Sequence, residues 1–241
     1  MLALAQTHLS VLYRRATLTS NIIVQGSQHM RRSSKLDLCL GVIDVGLRIS
    51  SGVHTGVERS SPARNQPHAE LNEAEQTESI RLMRVNHAGE VAAQALYLGQ
   101  ALGAREPALR KTLETAAKEE ADHLSWCTER LHELGGQTSR LSAFWYLGSM
   151  ALGVVAGRAG DRWSLGFVAE TEHQVSAHLD QHLQRLPNAD HRSRAVLEAM
   201  RIDEQQHAAH AETLGAAPLP PPIKALMRAT SKIVTQMARW V

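Results

Sequence analysis

The stretch "KEEADHLSW", residues 118–126, places Glu120 three residues before His123, and "DEQQHAAH", residues 203–210, places Glu204 three residues before His207. Residues i and i+3 of an α-helix lie on one face, so each stretch presents a carboxylate and an imidazole together. Whether that face points to water or to a core decides the fold and the chemistry.

Glu-x-x-His is a weak signal by itself. With 17 Glu and 13 His in 241 residues, about one match arises by chance. The chain holds four: Glu120/His123, Glu129/His132, Glu170/His173 and Glu204/His207. Helical phase separates them. Around the first pair the apolar stripe is Leu109, Leu113, Ala116, Ala117, Leu124, Cys127, Leu131 and Leu134, and Glu120 falls inside it with His123 beside it. Around the last pair the stripe is Leu197, Met200, Ala211 and Leu214, with Glu204 and His207 in its gap. Glu129/His132 is half a turn out of phase and faces solvent. Glu170/His173 is off the stripe formed by Leu165, Val168, Val175, Leu179 and Leu186, whereas Glu172 sits inside that stripe.

A longer regularity joins these pairs. Glu90 lies 30 residues before Glu120, and Glu172 lies 32 residues before Glu204. The unit of one Glu on a helix followed by Glu-x-x-His on the next therefore occurs twice, as in a pseudo-symmetric bundle of four helices. Those four are expected at about residues 70–102, 107–134, 163–186 and 190–214, with Pro107 in a first turn, stops at Gly135, Gly136 and Gly215, and Pro187 after the third. Two further helices are expected, an apolar one at 142–157 and an amphipathic one at 222–240. The fold class is all-α: a ferritin-like four-helix bundle with additional apolar and amphipathic helices.

The core-facing set is Glu90, Glu120, His123, Glu172, Glu204 and His207. Four carboxylates buried together repel one another and require cations. Ferritin-like di-metal carboxylate bundles use this ligand set, a Glu from each of two helices and Glu-x-x-His from each of two others. By that pattern Glu90 and His123 hold one metal, Glu172 and His207 the other, and Glu120 and Glu204 bridge. Oxygen-rich ligation with one His per metal suits two iron ions, with manganese as runner-up. A ligand histidine donates its other N–H to a carboxylate, and Asp203 and Glu119 are the candidates, across the bundle, for His123 and His207. His87, Tyr97 and His178 are further polar groups that either line the site or pack in the core; His68, His132, His173, His182, His191 and His210 read as solvated.

The bulk numbers bound the rest. A net charge of +2 does not suggest a nucleic-acid binder, and 4% aromatic residues favours helices. Cys39 and Cys127 match no metal or redox spacing and read as free thiols. The longest apolar run, "FWYLGSMALGVVAG" at 144–157, is 14 residues, short of the roughly 20 that span a bilayer. Both this segment and the last helix, with Ile223, Leu226, Met227, Ile233, Val234, Met237 and Trp240 on one side, read either as core packing or as a membrane-facing surface. Residues 1–33 are expected to be a disordered or mis-annotated extension: the first 36 residues carry no acidic side chain, which fits an organellar transit peptide or an upstream start with Met30 as the true one. Residues 34–68 are expected to hold a short helix, about 34–50, and a linker, 51–68; the functional domain spans 69–241.

At "LMRVNHAGEVAAQALYLGQA", "EEADHLSW", "LGFVAETEHQVSAHLDQHL" and "MRIDEQQHAAH" the chain closely resembles the demethoxyubiquinone hydroxylase family of ubiquinone biosynthesis. The resemblance covers about residues 34–241. "RVNHAGE" with its Glu90 sets this family apart from ferritins and rubrerythrins; Asn86 stands where the family often has Asp, outside the ligand set. The resemblance implies a di-iron mono-oxygenase that uses O₂ to hydroxylate the ring of a polyprenyl benzoquinol, with the six residues above as metal ligands. It also implies peripheral association with the cytoplasmic face of a bacterial cell membrane, or the matrix side of the mitochondrial inner membrane, and contact with other ubiquinone-biosynthesis proteins. Two rivals use the same helices: a ferritin- or rubrerythrin-like protein handling iron or peroxide, and a metal-free helical scaffold.

Overall fold

The structure, a computed structural model, describes residue 40, residues 44–46, residue 48 and residues 58–240. Residues 40, 44–46 and 48 are helical. The rest of the expected first helix, residues 51–57 of the expected linker, Cys39 and the extension 1–33 lie outside the described residues. A short 3-10 turn, Pro62–Asn65, precedes six helices: α1 Glu73–Gly103, α2 Pro107–Glu133, α3 Ser142–Arg158, α4 Asp161–Arg185, α5 His191–Thr213 and α6 Pro221–Ala238. There is no strand among the described residues. The fold is the all-α ferritin-like bundle the repeat predicts.

Local chemistry sets the helix ends. Asn72 and Glu75 form a reciprocal cap on α1: Asn72 Oδ1 accepts from the Glu75 amide at 3.0 Å and Glu75 Oε2 accepts from the Asn72 amide at 3.0 Å. Pro107 opens α2, where its missing N–H costs nothing. Gly135 (φ 72°) ends α2 and Gly215 (φ 94°) ends α5, both in the left-handed region that glycine adopts without strain. The α5 end leaves Leu214 45% exposed, so it does not continue the core stripe expected of it.

Helices α1 and α2 form one hairpin and α4 and α5 the other; together they make the four-helix bundle. Its interior is layered. One apolar layer holds Leu82, Met83, Trp126, Leu131, Leu179 and Met200. Another, further along the same helices, holds Tyr97, Leu109, Leu113, Leu165, Val168 and Ala211. The six singled-out residues fall between these layers on every helix. Buried Arg130 of α2 ties the hairpins together by pairing with Asp190 at 2.8 Å, the residue that caps α5.

Helix α3 packs along the outside of α1 with almost no side chains between them. A Cβ added at Gly153 would lie 2.2 Å from the Leu96 carbonyl oxygen, and one added at Gly99 would lie 2.4 Å from the Met150 carbonyl oxygen. Gly103 and Gly157, four residues on, meet in the same way. The other side of α3 is bare: Phe144 is 65% and Val155 68% exposed. The apolar segment is thus packed on one face and open on the other, so it is not a fully buried core helix.

His182 corrects the reading of a solvated residue. It is buried against α1, and its Nδ1–H donates to Asn86 Oδ1 at 2.9 Å. Periodicity misses this because α1 lies over what looks like a polar face of α4. Burial, then the positive charge of His178, Arg185 and Arg239, pushes the His182 pKa down to about 2.

Two outcomes follow from this packing. Gly153→Ala forces backbone apart and lowers stability by about 1–3 kcal/mol, read by urea denaturation. His182 folds neutral but unfolds with a pKa near 6.5, so the unfolded chain binds more protons below that value. Its contribution is intact above about pH 6.5 and is lost progressively as pH falls toward 2, by up to about 1.4 kcal/mol per pH unit. The melting temperature therefore drops between pH 7 and pH 5, and His182→Gln flattens that drop.

Candidate metal centre

Each helix of the bundle contributes to one polar belt between the two apolar layers. α1 supplies Glu90, α2 Glu120 and His123, α4 Glu172, and α5 Glu204 and His207. All but His207 are at most 2% exposed. His123 Nδ1 lies 3.4 Å from Glu90 Oε2, 3.3 Å from Glu120 Oε2 and 3.2 Å from Glu204 Oε1. His207 Nδ1 lies 3.3 Å from Glu120 Oε1 and 3.2 Å from Glu204 Oε2. Glu120 and Glu204 thus each turn one oxygen to either histidine. Glu172 completes the belt against Glu204, and its Oε1 accepts a hydrogen bond from the Tyr97 hydroxyl.

The outer nitrogens of both histidines are held as the sequence suggests. His123 Nε2–H donates to Asp203 Oδ2 at 2.8 Å, and His207 Nε2–H donates to Glu119 Oε2 at 2.6 Å. Each imidazole is thereby oriented with Nδ1 toward the carboxylates.

The electrostatics show what the belt lacks. Burial, and then repulsion from Glu120 and Glu204, pushes the Glu90 carboxyl well above its ordinary range. Burial and the same two neighbours do so for Glu172. Burial opposes ionisation of Glu120 as well, but hydrogen bonds from His123 and His207 hold it below the usual value. For His207 the cost of burial is outweighed by hydrogen bonds to Glu120 and Glu204, which push it up to about 12. Even so, Glu172 Oε2 is buried without a hydrogen-bond partner, and Glu90 Oε2 and Glu120 Oε1 meet only histidine Nδ1 atoms that other carboxylates share, at 3.4 and 3.3 Å, an expensive arrangement for carboxylates. Glu90, Glu120, His123 and Glu204 offer ligand atoms all within 4.8 Å of one another. Oxygen donors left over after hydrogen bonding, converging with imidazole nitrogens, fit a divalent metal.

The decoys separate as phase predicts. Glu129 pairs with Arg64 at the surface. Glu170 turns away from the belt but is buried, because α6 covers it: Lys224 Nζ lies 2.7 Å from its carboxylate. His173 is exposed and meets Glu212. His87 is buried in α1, Tyr97 touches the belt through Glu172, and His178 lines a neighbouring cavity.

Arg59 was hidden in the expected linker. Its guanidinium donates to Asp122 at 2.9 Å and to Asp203 at 2.7 Å, lies 3.4 Å from His123 Nε2, and stacks 4.7 Å from the Trp126 ring. Trp126 Nε1–H returns a hydrogen bond to the Arg59 carbonyl at 3.1 Å. A segment without periodicity gives no sign of such a contact; the one clue was Asp122, a carboxylate beside the core face of α2.

A cavity of about 280 Å³ adjoins the belt. Glu90 and Asn86 of α1 stand in its wall among apolar residues of α1, α4 and α6, and Leu152, Ile223 and Leu226 reach from it to the surface, where they are 48%, 37% and 68% exposed.

The family described as ubiquinone biosynthesis protein COQ7 matches residues 77–238. A 3-demethoxyubiquinol 3-hydroxylase of Nitrosococcus oceani is 53% identical over 211 residues, covering 88% of this chain and 99% of that protein. The enzyme of the same name from Bordetella parapertussis is 54% identical over 213 residues, 88% of this chain and 95% of its own. That from Nitrosomonas eutropha is 55% identical over 183 residues, 76% and 88% respectively.

Arg59→Ala leaves buried Asp122 and half-buried Asp203 without their cation and lowers the unfolding free energy by about 1–3 kcal/mol, read by urea denaturation. Arg64→Ala, which removes only an exposed pair, leaves the denaturation midpoint near the wild-type value.

Proposed function

The chain belongs to the family of ubiquinone biosynthesis protein COQ7, and on that premise we propose that its buried belt holds two iron ions and hydroxylates the ring of a polyprenyl demethoxyubiquinol with O₂. It is a hydroxylating oxidoreductase of ubiquinone biosynthesis, as its relatives are named. The observation that carries the metal reading is the convergence of three buried carboxylates, Glu90, Glu120 and Glu204, on two histidines whose Nδ1 atoms face inward, with Glu172 beside Glu204.

The ligand roles are those of the two-hairpin pattern, and the contacts of His123 and His207 with Glu90, Glu120 and Glu204 support them. Glu90 and His123 would hold one ion, Glu172 and His207 the other. Glu120 and Glu204, each turned to both histidines, would bridge. Asp203 and Glu119 keep the outer protons on Nε2, which leaves Nδ1 for a metal; loading the site releases the protons that Nδ1 otherwise carries. Iron suits this oxygen-rich set, with manganese as runner-up. When bound, the two iron ions would supply the redox chemistry of O₂: with two electrons and two protons from an external reductant, one oxygen atom would enter the ring and the other would leave as water. Tyr97, by donating to Glu172, fixes that carboxylate's orientation.

The cavity supports a lipid substrate over iron storage or peroxide removal, since neither of those needs a large apolar space beside the carboxylates. The quinol ring would lie next to Glu90 and the prenyl tail would run outward between α1, α4 and α6. No helix among the described residues is long and apolar enough to cross a membrane. Peripheral attachment is supported by Phe144, Leu147 and Val155 of α3 and Leu226 and Ile233 of α6, all more than half exposed. A lipid drawn from the bilayer would enter between these helices. The cytoplasmic face of a bacterial cell membrane is the location this reading favours.

Glu120→Ala, which removes a bridging ligand, loses bound iron by elemental analysis and loses ring hydroxylation, whereas Glu129→Ala keeps both at wild-type level. Equal losses in the two variants would refute the assignment of the core-facing pair. In cells lacking the gene, mass spectrometry should find a quinone missing one methoxy group, cured by the wild type and not by Glu204→Ala.

A further inference from the structure

We propose that the side-chain amide of Asn86 is the hydrogen-bond donor that anchors a ring oxygen of the substrate in the cavity beside Glu90. This rests on the quinol reading of the site. Asn86 is 5% exposed, and its Nδ2 has no hydrogen-bond partner although the rest of the residue is tightly held. Its Oδ1 is committed to His182, which is 3% exposed and donates from Nδ1 at 2.9 Å. That bond fixes the amide's rotation and leaves the NH₂ group on the other side.

Asn86 itself stands in the cavity wall. Asn86 and Glu90 are one helical turn apart on α1 and both line the cavity of about 280 Å³. Most of the remaining wall is apolar, with Val85, Leu96, Leu179 and Val234 among its residues. An unpaired buried amide N–H is costly, and such groups in native structures call for a partner that arrives with a ligand. A ring oxygen accepts from this donor, while the apolar wall takes the hydrocarbon tail. The anchor stands one turn from Glu90, so it sets which edge of the ring meets the carboxylate belt. Burial keeps His182 neutral, so the supporting bond persists across the pH range in which the protein is folded. A site built to hydrogen-bond an oxygen rejects an analogue that lacks it, and Asn86 is therefore also the residue that tells a quinone head from a plain hydrocarbon.

The test compares two probes on the full-length iron-loaded protein by calorimetry under nitrogen: a decyl-tailed methoxybenzoquinone and decylbenzene. The wild type should bind the quinone more tightly. Asn86→Leu should weaken quinone binding about tenfold and leave decylbenzene unchanged, which also shows that the cavity is intact. Because Leu at this position orphans the His182 N–H, the double variant Asn86→Leu/His182→Phe, which leaves neither partner unpaired, should give the same pattern if the single variant folds poorly. A wild-type preference for the quinone that survives in both variants would overturn the anchor and leave the quinol reading standing. Equal binding of the two probes by the wild type would overturn the quinol reading itself.

Discussion

Four carboxylates in the middle of a helical bundle are a charge that the rest of the molecule has to accommodate. An apolar layer closes the bundle on either side of the belt, and each of the four is at most 2% exposed. Their own histidines offset part of the charge, yet two of the four are driven toward the neutral form and Glu172 Oε2 remains unpaired. A core built this way is poor as a stabilising element. It makes sense as a ligand set, in which two divalent ions replace protons and complete every oxygen. The same apolar layers that make the belt costly also lower the local dielectric, which strengthens each metal–carboxylate contact.

The additional helices answer a different demand. A four-helix bundle with a closed core has no room for a lipid. Helix α3 lies against α1 through glycines, so its apolar side chains are spent on the outside rather than on the interface. Helix α6 is clasped over α4 by Lys224 and Glu170 and over α1 by Arg239 and Glu78, the latter at 2.7 Å. Between them the cavity reaches from the surface to Glu90. The two segments that looked like alternatives between packing and an open apolar surface show both, because each helix has two faces and only one is needed for packing.

How much of this could be read in the sequence depended on whether a residue's partner shared its periodicity. Helix positions, the glycine stops and the inward phase of Glu120, His123, Glu172, Glu204 and His207 follow from apolar spacing along single helices, and Glu90 stands out as the one charge in an otherwise apolar stretch, 30 residues before Glu120. Asp203 and Glu119 could be anticipated because the repeat puts each across from the other half's histidine. His182 and Arg59 could not. One is buried by a neighbouring helix over a face that looks polar, and the other lies in a segment with no period at all. The glycine contact left a trace, four-residue spacing at Gly99/Gly103 and Gly153/Gly157, that gains meaning only once α1 and α3 are known to touch.

The repeat also conceals an inequality between its halves. Ligand types match one for one, but their surroundings do not. Asp203, which holds His123, is 19% exposed and is itself held by Arg59. Glu119, which holds His207, is 46% exposed, and His207 is the one described hydrogen-bond partner of its carboxylate. A carboxylate shared with a guanidinium draws less strongly on the imidazole proton than one that is not, so His123 is the weaker electron donor of the two. Glu90, on the His123 side, is also the ligand candidate that meets the cavity. The more enclosed, more positively buffered half therefore faces the substrate space. The elements responsible, the segment around Arg59 together with α3 and α6, lie outside the repeated hairpins. The repeated two-helix unit accounts for the paired Glu-x-x-His motifs; the parts outside it give the two histidines different surroundings.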